Sequence, residues 1–169
     1  MKKILCVAIA AVIFVFGFFF IRDNVGVSAE KLEADARKSQ RINEEWLVSK
    51  SVSDEIAVMV FYPESTDDHV FSVYAKKDSL SYGYFFTSGG ALYTDEGVAR
   101  FDFNGTSAFY SINKIGISQI EVIYTDKTEI IELDSEKPFA FALPDGAEDA
   151  RFFDLSGNEV KIIKPSEFI

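Results

Sequence analysis

Hydrophobic and polar positions divide this chain into three textures. Ile4 to Ile21 is continuously apolar, 18 residues without a charge or a strong hydrogen-bonding side chain. As a helix at about 1.5 Å per residue it spans about 27 Å, close to the roughly 30 Å hydrocarbon core of a bilayer. From Val27 to Lys50 the apolar residues thin to Leu32, Ala36, Ile42 and Trp46 among Ala, Glu, Lys and Arg, with no Pro and no Gly. That texture predicts a solvated helical stalk, N-capped at Ser28, whose far end docks on the following domain through Ile42, Trp46 and Leu47. Trp46 is expected to close the edge of the core.

From Ser51 onward, β-branched and aromatic runs are punctuated by turn residues every eight to twelve positions, which predicts strands. Ile56 to Tyr62 is apolar at both parities and reads as a central strand covered on both faces. Strands are expected at His69 to Ala75 and Leu80 to Thr87, with Ser88-Gly89-Gly90 breaking the chain before Ala91-Leu92-Tyr93. In Gly97 to Phe103, Ala99, Phe101 and Phe103 alternate with Arg100 and Asp102, the period of a half-exposed strand. Asn104-Gly105 turns it into Ser107 to Ile112, since both positions tolerate positive φ. Ile120 to Tyr124 and Thr128 to Leu133 form a second hairpin, Phe139 to Leu143 a short strand, and Asp149 to Asp154 a pair with Glu159 to Ile163. The expected fold is all-β: an antiparallel sandwich of about ten strands over 51–169, preceded by a transmembrane anchor or signal peptide over 1–24 and the stalk over 25–50.

The apolar run decides location. As an uncleaved anchor, with Ile4, Phe14, Phe18 and Ile21 among its spanning residues, it keeps Lys2 and Lys3 in the cytoplasm and the rest outside. As a signal peptide it is cut near Ala29, where Val27-Ser28-Ala29 has suitably small residues, but a signal's apolar region is usually about 7–15 residues long. A buried soluble helix fits poorly, because five phenylalanines and no polar face suit lipid. Cys6 stands at the start of the run, not after it as a lipidated cysteine must. A pilin spine is excluded as well: the run has no glutamate and no preceding Gly-Phe.

Lys2 and Lys3 are the only charges before Arg22, so the remainder carries 15 basic residues against 27 acidic ones. An acidic domain repels phosphate backbones, which excludes nucleic acid and disfavours anionic lipid surfaces. The lone cysteine lies in the apolar run, leaving the exported part no disulfide and no thiol nucleophile.

Candidate chemistry is sparse. His69, the only histidine, follows Asp67-Asp68, yet no Gly-x-Ser-x-Gly elbow accompanies it. One histidine and no available cysteine are too few for zinc. Calcium is the one cation that the oxygen-rich loops Glu64, Asp67, Asp68 and Asp145, Glu148, Asp149 suit, though neither has the spacing of a calcium loop and solvation explains both. No cofactor is expected. The most distinctive feature is Ser81 to Gly90, where Tyr82, Tyr84 and Phe86 share one face and Gly83 leaves room for a backbone or ligand on the other. Their rings read first as core with hydroxyls at the rim, and second as a ligand or partner surface.

The apolar N-terminus, the strand Asp54 to Pro63, the Ser81 to Gly90 stretch and the closing Phe153 to Glu159 hairpin resemble a group of short exported or membrane-anchored β-domain proteins of Gram-positive bacteria. The resemblance implies an extracytoplasmic β-domain and supplies no functional residues. The expected function is a non-enzymatic, membrane-tethered binding or accessory module that contacts an envelope protein. The alternative is a small extracytoplasmic hydrolase or carbohydrate-active protein.

Overall fold

The computed structural model of the chain describes residues 24–64, 68–77, 81–91 and 97–164. Among them the protein is mostly β, with eleven strands and one short helix. No helix among them is long and apolar enough to cross a membrane. The run Ile4 to Ile21, with Ile4, Phe14, Phe18 and Ile21, lies outside the described residues.

Strands β1 (Leu47–Val52), β2 (Ile56–Tyr62), β3 (Val70–Ala75) and β4 (Phe85–Gly90) form an antiparallel meander in that order. As its two-parity apolar pattern predicts, β2 is buried on both faces. Ile56, Val58 and Val60 face a second sheet, while Ala57, Met59 and Phe61 face helix α1 (Leu32–Gln40) through Leu32 and Ala36. At about 1.5–3 kcal/mol for each large side chain removed from water, this strand is the main apolar seam of the meander.

The second sheet has the order β11-β5-β6-β9, built from β5 (Val98–Phe103), β6 (Thr106–Ser111), β9 (Phe139–Ala142) and β11 (Ile162–Ile163). Ala99, Ala108, Tyr110 and Ala142 pack on the meander, with the Phe71 and Tyr110 rings stacked at 4.6 Å. Val98, Phe109, Phe139 and Phe141 point the other way, onto Ile117, Ile120, Val122, Ala150 and Phe152 of a third sheet. That sheet has the order β10-β7-β8, from β7 (Ile117–Tyr124), β8 (Thr128–Glu132) and β10 (Ala147–Asp154).

The layers therefore run helix, sheet, sheet, sheet, and the two-sheet sandwich expected from sequence is one layer short. The middle sheet is covered on both faces, yet only β9 among its longer strands is apolar at both parities, since β6 sets Phe109 between Ser107 and Ser111. In β5 the covered inner face is disguised by Arg100, which is half-buried with its guanidinium 5.4 Å over the Phe109 ring and bonded to Asp102 and Asp149. One pairing is also parallel, β11 with β5. The expected Glu159 to Ile163 partner of β10 bridges it only at Phe153 and Glu159 before crossing to β5.

The helix expected over 25–50 is shorter and is not a solvated stalk. A 3-10 turn (Ala29–Lys31) leads into α1, which ends at Arg41 in the left-handed region (φ 57°), and Leu47–Val52 is strand β1. The helix lies against the meander: Leu32 and Ala36 are fully buried, and the Tyr74 hydroxyl donates to Asp35 at 2.7 Å. Arg37 ties the turn to β1 by donating to the Asn43 and Trp46 carbonyls, both at 2.9 Å, and to Glu33. Trp46 packs at the edge of this core cluster. Ser88-Gly89-Gly90 does not break the chain but completes β4, pairing with Phe71 and Ser72 through the two glycines.

Candidate functional site

Strand register gives the meander two distinct ends. At one, Ala57 pairs with Val52 and Ala75 pairs with both Ile56 and Phe85. At the other, Leu47 pairs with Tyr62, Phe61 with Val70 and Phe71 with Gly90. The six residue steps of β2 separate them by about 20 Å at roughly 3.3 Å each. The aromatic stretch lies at the first end and His69 at the second.

The His69 end holds an open cleft of about 440 Å³. Four separated stretches line it: Leu47 from β1; Tyr62, Pro63, Glu64, Asp68 and His69 from the β2–β3 connection; Ile112, Asn113 and Lys114 after β6; and Glu136, Lys137 and Pro138 before β9. Its lining mixes apolar and polar side chains, and its charges are of both signs. Asp67 lies outside the described residues.

Asn113 builds the base of the cleft. It is 4 % exposed, with φ 57°. Its Nδ2 donates to the carbonyls of Ile117, Asp134 and Lys137 at 3.0–3.1 Å, and its Oδ1 accepts from the Ile117 amide at 2.6 Å. Its own amide donates to Ser111 Oγ, whose hydroxyl donates to the Gly97 carbonyl. One side chain thus holds together the loop after β6, the start of β7 and the loop before β9. At the rim, Lys137 and Asp134 form an exposed pair at 2.7 Å. Asn113 drew no notice in the sequence, where a lone asparagine after a strand reads as an ordinary turn residue.

The aromatic face expected from Tyr82, Tyr84 and Phe86 is not a single face. Tyr82 is 74 % and Phe86 50 % exposed, whereas Tyr84 is 6 % exposed, packs in the core beneath α1 and donates its hydroxyl to the Ser53 carbonyl at 2.6 Å. Burial pushes the Tyr84 hydroxyl pKa up, aided by the carboxylates of Asp54, Glu55 and Asp145. Phe86 sets its ring edge-on to Tyr74 at 5.5 Å. Alternation fails because Tyr82 and Tyr84 precede β4, flanking Gly83 at φ +82°. The room expected at Gly83 is filled by this chain's own backbone: a Cβ there would stand 2.8 Å from the Val27 carbonyl oxygen.

That backbone is the N-terminal segment. Tyr82 N donates to the Asn24 carbonyl (2.7 Å), Gly26 N to the Tyr82 carbonyl (2.6 Å), and Val27 and Tyr84 exchange both bonds at 2.8 Å.

The carboxylates weighed for calcium after β9 point to separate partners. Asp149 pairs with Arg100, Glu148 accepts from Thr125, and Asp145 sits beside Asp54. Among the described residues no group of three His, Cys, Asp or Glu side chains is arranged to hold a metal ion. No protein-family profile matches the chain, and no curated protein or solved structure shows significant similarity to it.

Proposed function

We propose that this chain is a membrane-tethered, extracytoplasmic binding or accessory module, non-enzymatic, that holds a segment of an envelope protein in the cleft between β1, the β2–β3 connection and the loops around β6 and β9. The observation that carries this reading is the lining of the cleft: apolar Leu47, Tyr62, Pro63, Ile112 and Pro138 together with acidic Glu64, Asp68 and Glu136 and basic Lys114 and Lys137. Such a surface offers apolar contact beside charges of both signs, which suits a peptide segment.

Tethering is supported by the N-terminal pairing. A cut after Ala29 removes Val25, Gly26 and Val27, the residues bonded to Tyr82 and Tyr84. The residues that complete the fold thus lie on the anchor side of the cut, which favours the uncleaved form over release. Lys2 and Lys3 then keep the N-terminus inside and the β-domain outside.

A hydrolase is the second reading, favoured by the placement of His69 in the same cleft as Glu64 and Asp68. Photo-crosslinking from position 114 of the full chain in its native membrane separates the two. The binding reading expects one envelope protein captured from position 114 and not from the exposed Ile130. Its purified form should bind less tightly to a Lys114→Glu, Lys137→Glu variant. No capture, together with turnover of an envelope substrate that His69→Ala abolishes, would establish the hydrolase instead.

A further inference from the structure

We infer that the domain stands directly on the membrane that holds its apolar run, with Tyr82 and Val25 set in the lipid headgroup layer and the cleft facing away. The inference rests on the tethered reading and adds to it an orientation and a lipid-contact surface.

Chain length sets the geometry. Only Arg22 and Asp23 separate Ile21, the last residue of the apolar run, from Asn24. Three residue steps reach at most about 10 Å even when fully extended. The headgroup layer on each side of a bilayer is about 5–8 Å deep, half the difference between the roughly 40–45 Å total and the roughly 30 Å core. Asn24 therefore stands within a few ångströms of that layer, and its carbonyl accepts directly from the Tyr82 amide at 2.7 Å. The helix that was expected to lift the domain lies flat on the meander instead, so no spacer remains.

The surface at this end suits the place. Val25 is 52 % and Tyr82 74 % exposed, an aliphatic and an amphipathic ring side by side in the bridged pair. Exposed tyrosine is a residue that favours the boundary between headgroups and water. Among the described residues the charged groups at this end include Asp54, Glu55 and Asp145, with Lys76 and Lys77, whose ammonium groups lie over the Tyr84 and Phe85 rings. Carboxylates and ammonium groups side by side fit a zwitterionic surface better than an anionic one. The cleft lies at the opposite end of β2, about 20 Å further out by its six residue steps, and so opens toward the surroundings.

The test uses the full chain with Cys6→Ser, reconstituted in phosphatidylcholine–phosphatidylethanolamine vesicles. Nitroxide labels are placed at Tyr82→Cys, Val25→Cys or Glu64→Cys. Retention of the chain after an alkaline wash is measured first, then label collision with oxygen against a water-soluble nickel chelate. The expected result is retention, with an oxygen-to-nickel ratio severalfold higher at 82 and at 25 than at 64. Chain lost in the wash overturns the tethered reading. Chain retained with all three labels equally open to nickel overturns the orientation alone. The label at 25 decides the matter if the variant at 82 does not fold, as judged by its thermal transition.

Discussion

Ser49 Oγ accepts the Ala140 amide at 3.0 Å, and two residues along the same strand Ser51 Oγ accepts the Ala142 amide at 2.9 Å. The donors belong to β9, an edge of the middle sheet, and the acceptors to β1, an edge of the meander. Both strands repeat every two residues, so hydroxyls spaced i, i+2 meet amides spaced i, i+2. Side chains thereby seal an edge that would otherwise present unpaired donors. Ser49→Ala and Ser51→Ala should each cost about 1–2 kcal/mol, the range for leaving a half-buried amide unsatisfied. Urea unfolding midpoints measure this, and unchanged midpoints in both variants would mean water replaces the hydroxyls without loss.

Asn113 should be the most sensitive polar position at the cleft. Asn113→Ala removes a buried side chain that serves four backbone groups, and a loss of about 2–4 kcal/mol is expected from the orphaned partners. Asn113→Gly preserves access to the left-handed φ and separates backbone strain from hydrogen bonding. It should recover only a small part of the loss. Asn113→Asp replaces the amide donor with a carboxylate facing three carbonyls and should be no better than alanine. Thermal unfolding of the three variants checks the order.

Much of this fold is written locally, and the remainder is not. The two-parity run Ile56 to Tyr62 and the Asn104-Gly105 turn, both residues at positive φ, could be read directly because each depends on a few adjacent residues. Strand β1 could not: Leu-Val-Ser-Lys-Ser-Val lacks a breaker and follows a helix, and its pairing with β2 and serine contacts to β9 are supplied by residues far along the chain. Absence of Gly and Pro permits a helix without requiring one. The cleft was equally hidden, since it gathers residues near positions 47, 63, 69, 113 and 137 that form no motif. Of the three rings read first as core, only Tyr84 is buried; Tyr82 and Phe86 are exposed, and the shared face is broken by a local feature, the left-handed Gly83 between Tyr82 and Tyr84.

Asp145 gives the domain an acid-side signature. Desolvation first, then the hydrogen bond and charge of Asp54 and the charge of Glu55, push its carboxyl pKa above the usual value. A raised folded-state pKa means the folded protein holds this proton more tightly than the unfolded chain does. The resulting benefit is present at acid pH and is lost as pH rises through the ordinary carboxylate value, about 3.9, to the raised one. Asp145→Asn should therefore raise the melting temperature at neutral pH and confer no gain below the ordinary range. A gain of equal size at both extremes would assign the effect to something other than charge.

The N-terminal segment yields the prediction with most bearing on how the protein is held. Residues 24–27 contribute four backbone hydrogen bonds to Tyr82 and Tyr84, and Val27 packs against the core cluster beneath α1. At about 0.5–1.5 kcal/mol per hydrogen bond, a fragment covering 30–169 should be less stable than one covering 24–169 by about 3 kcal/mol. Gly83→Ala within the longer fragment should reproduce part of that loss, because the added methyl meets the Val27 carbonyl oxygen at 2.8 Å and alanine disfavours the positive φ held there. In the shorter fragment, which has no Val27, the same substitution should retain only the cost of φ. The difference between those two costs isolates the docking of the N-terminal segment from the conformational requirement of the glycine. Equal stability of the two fragments would show that a domain released after Ala29 is as complete as a tethered one, and would remove the structural support for retention of the apolar run.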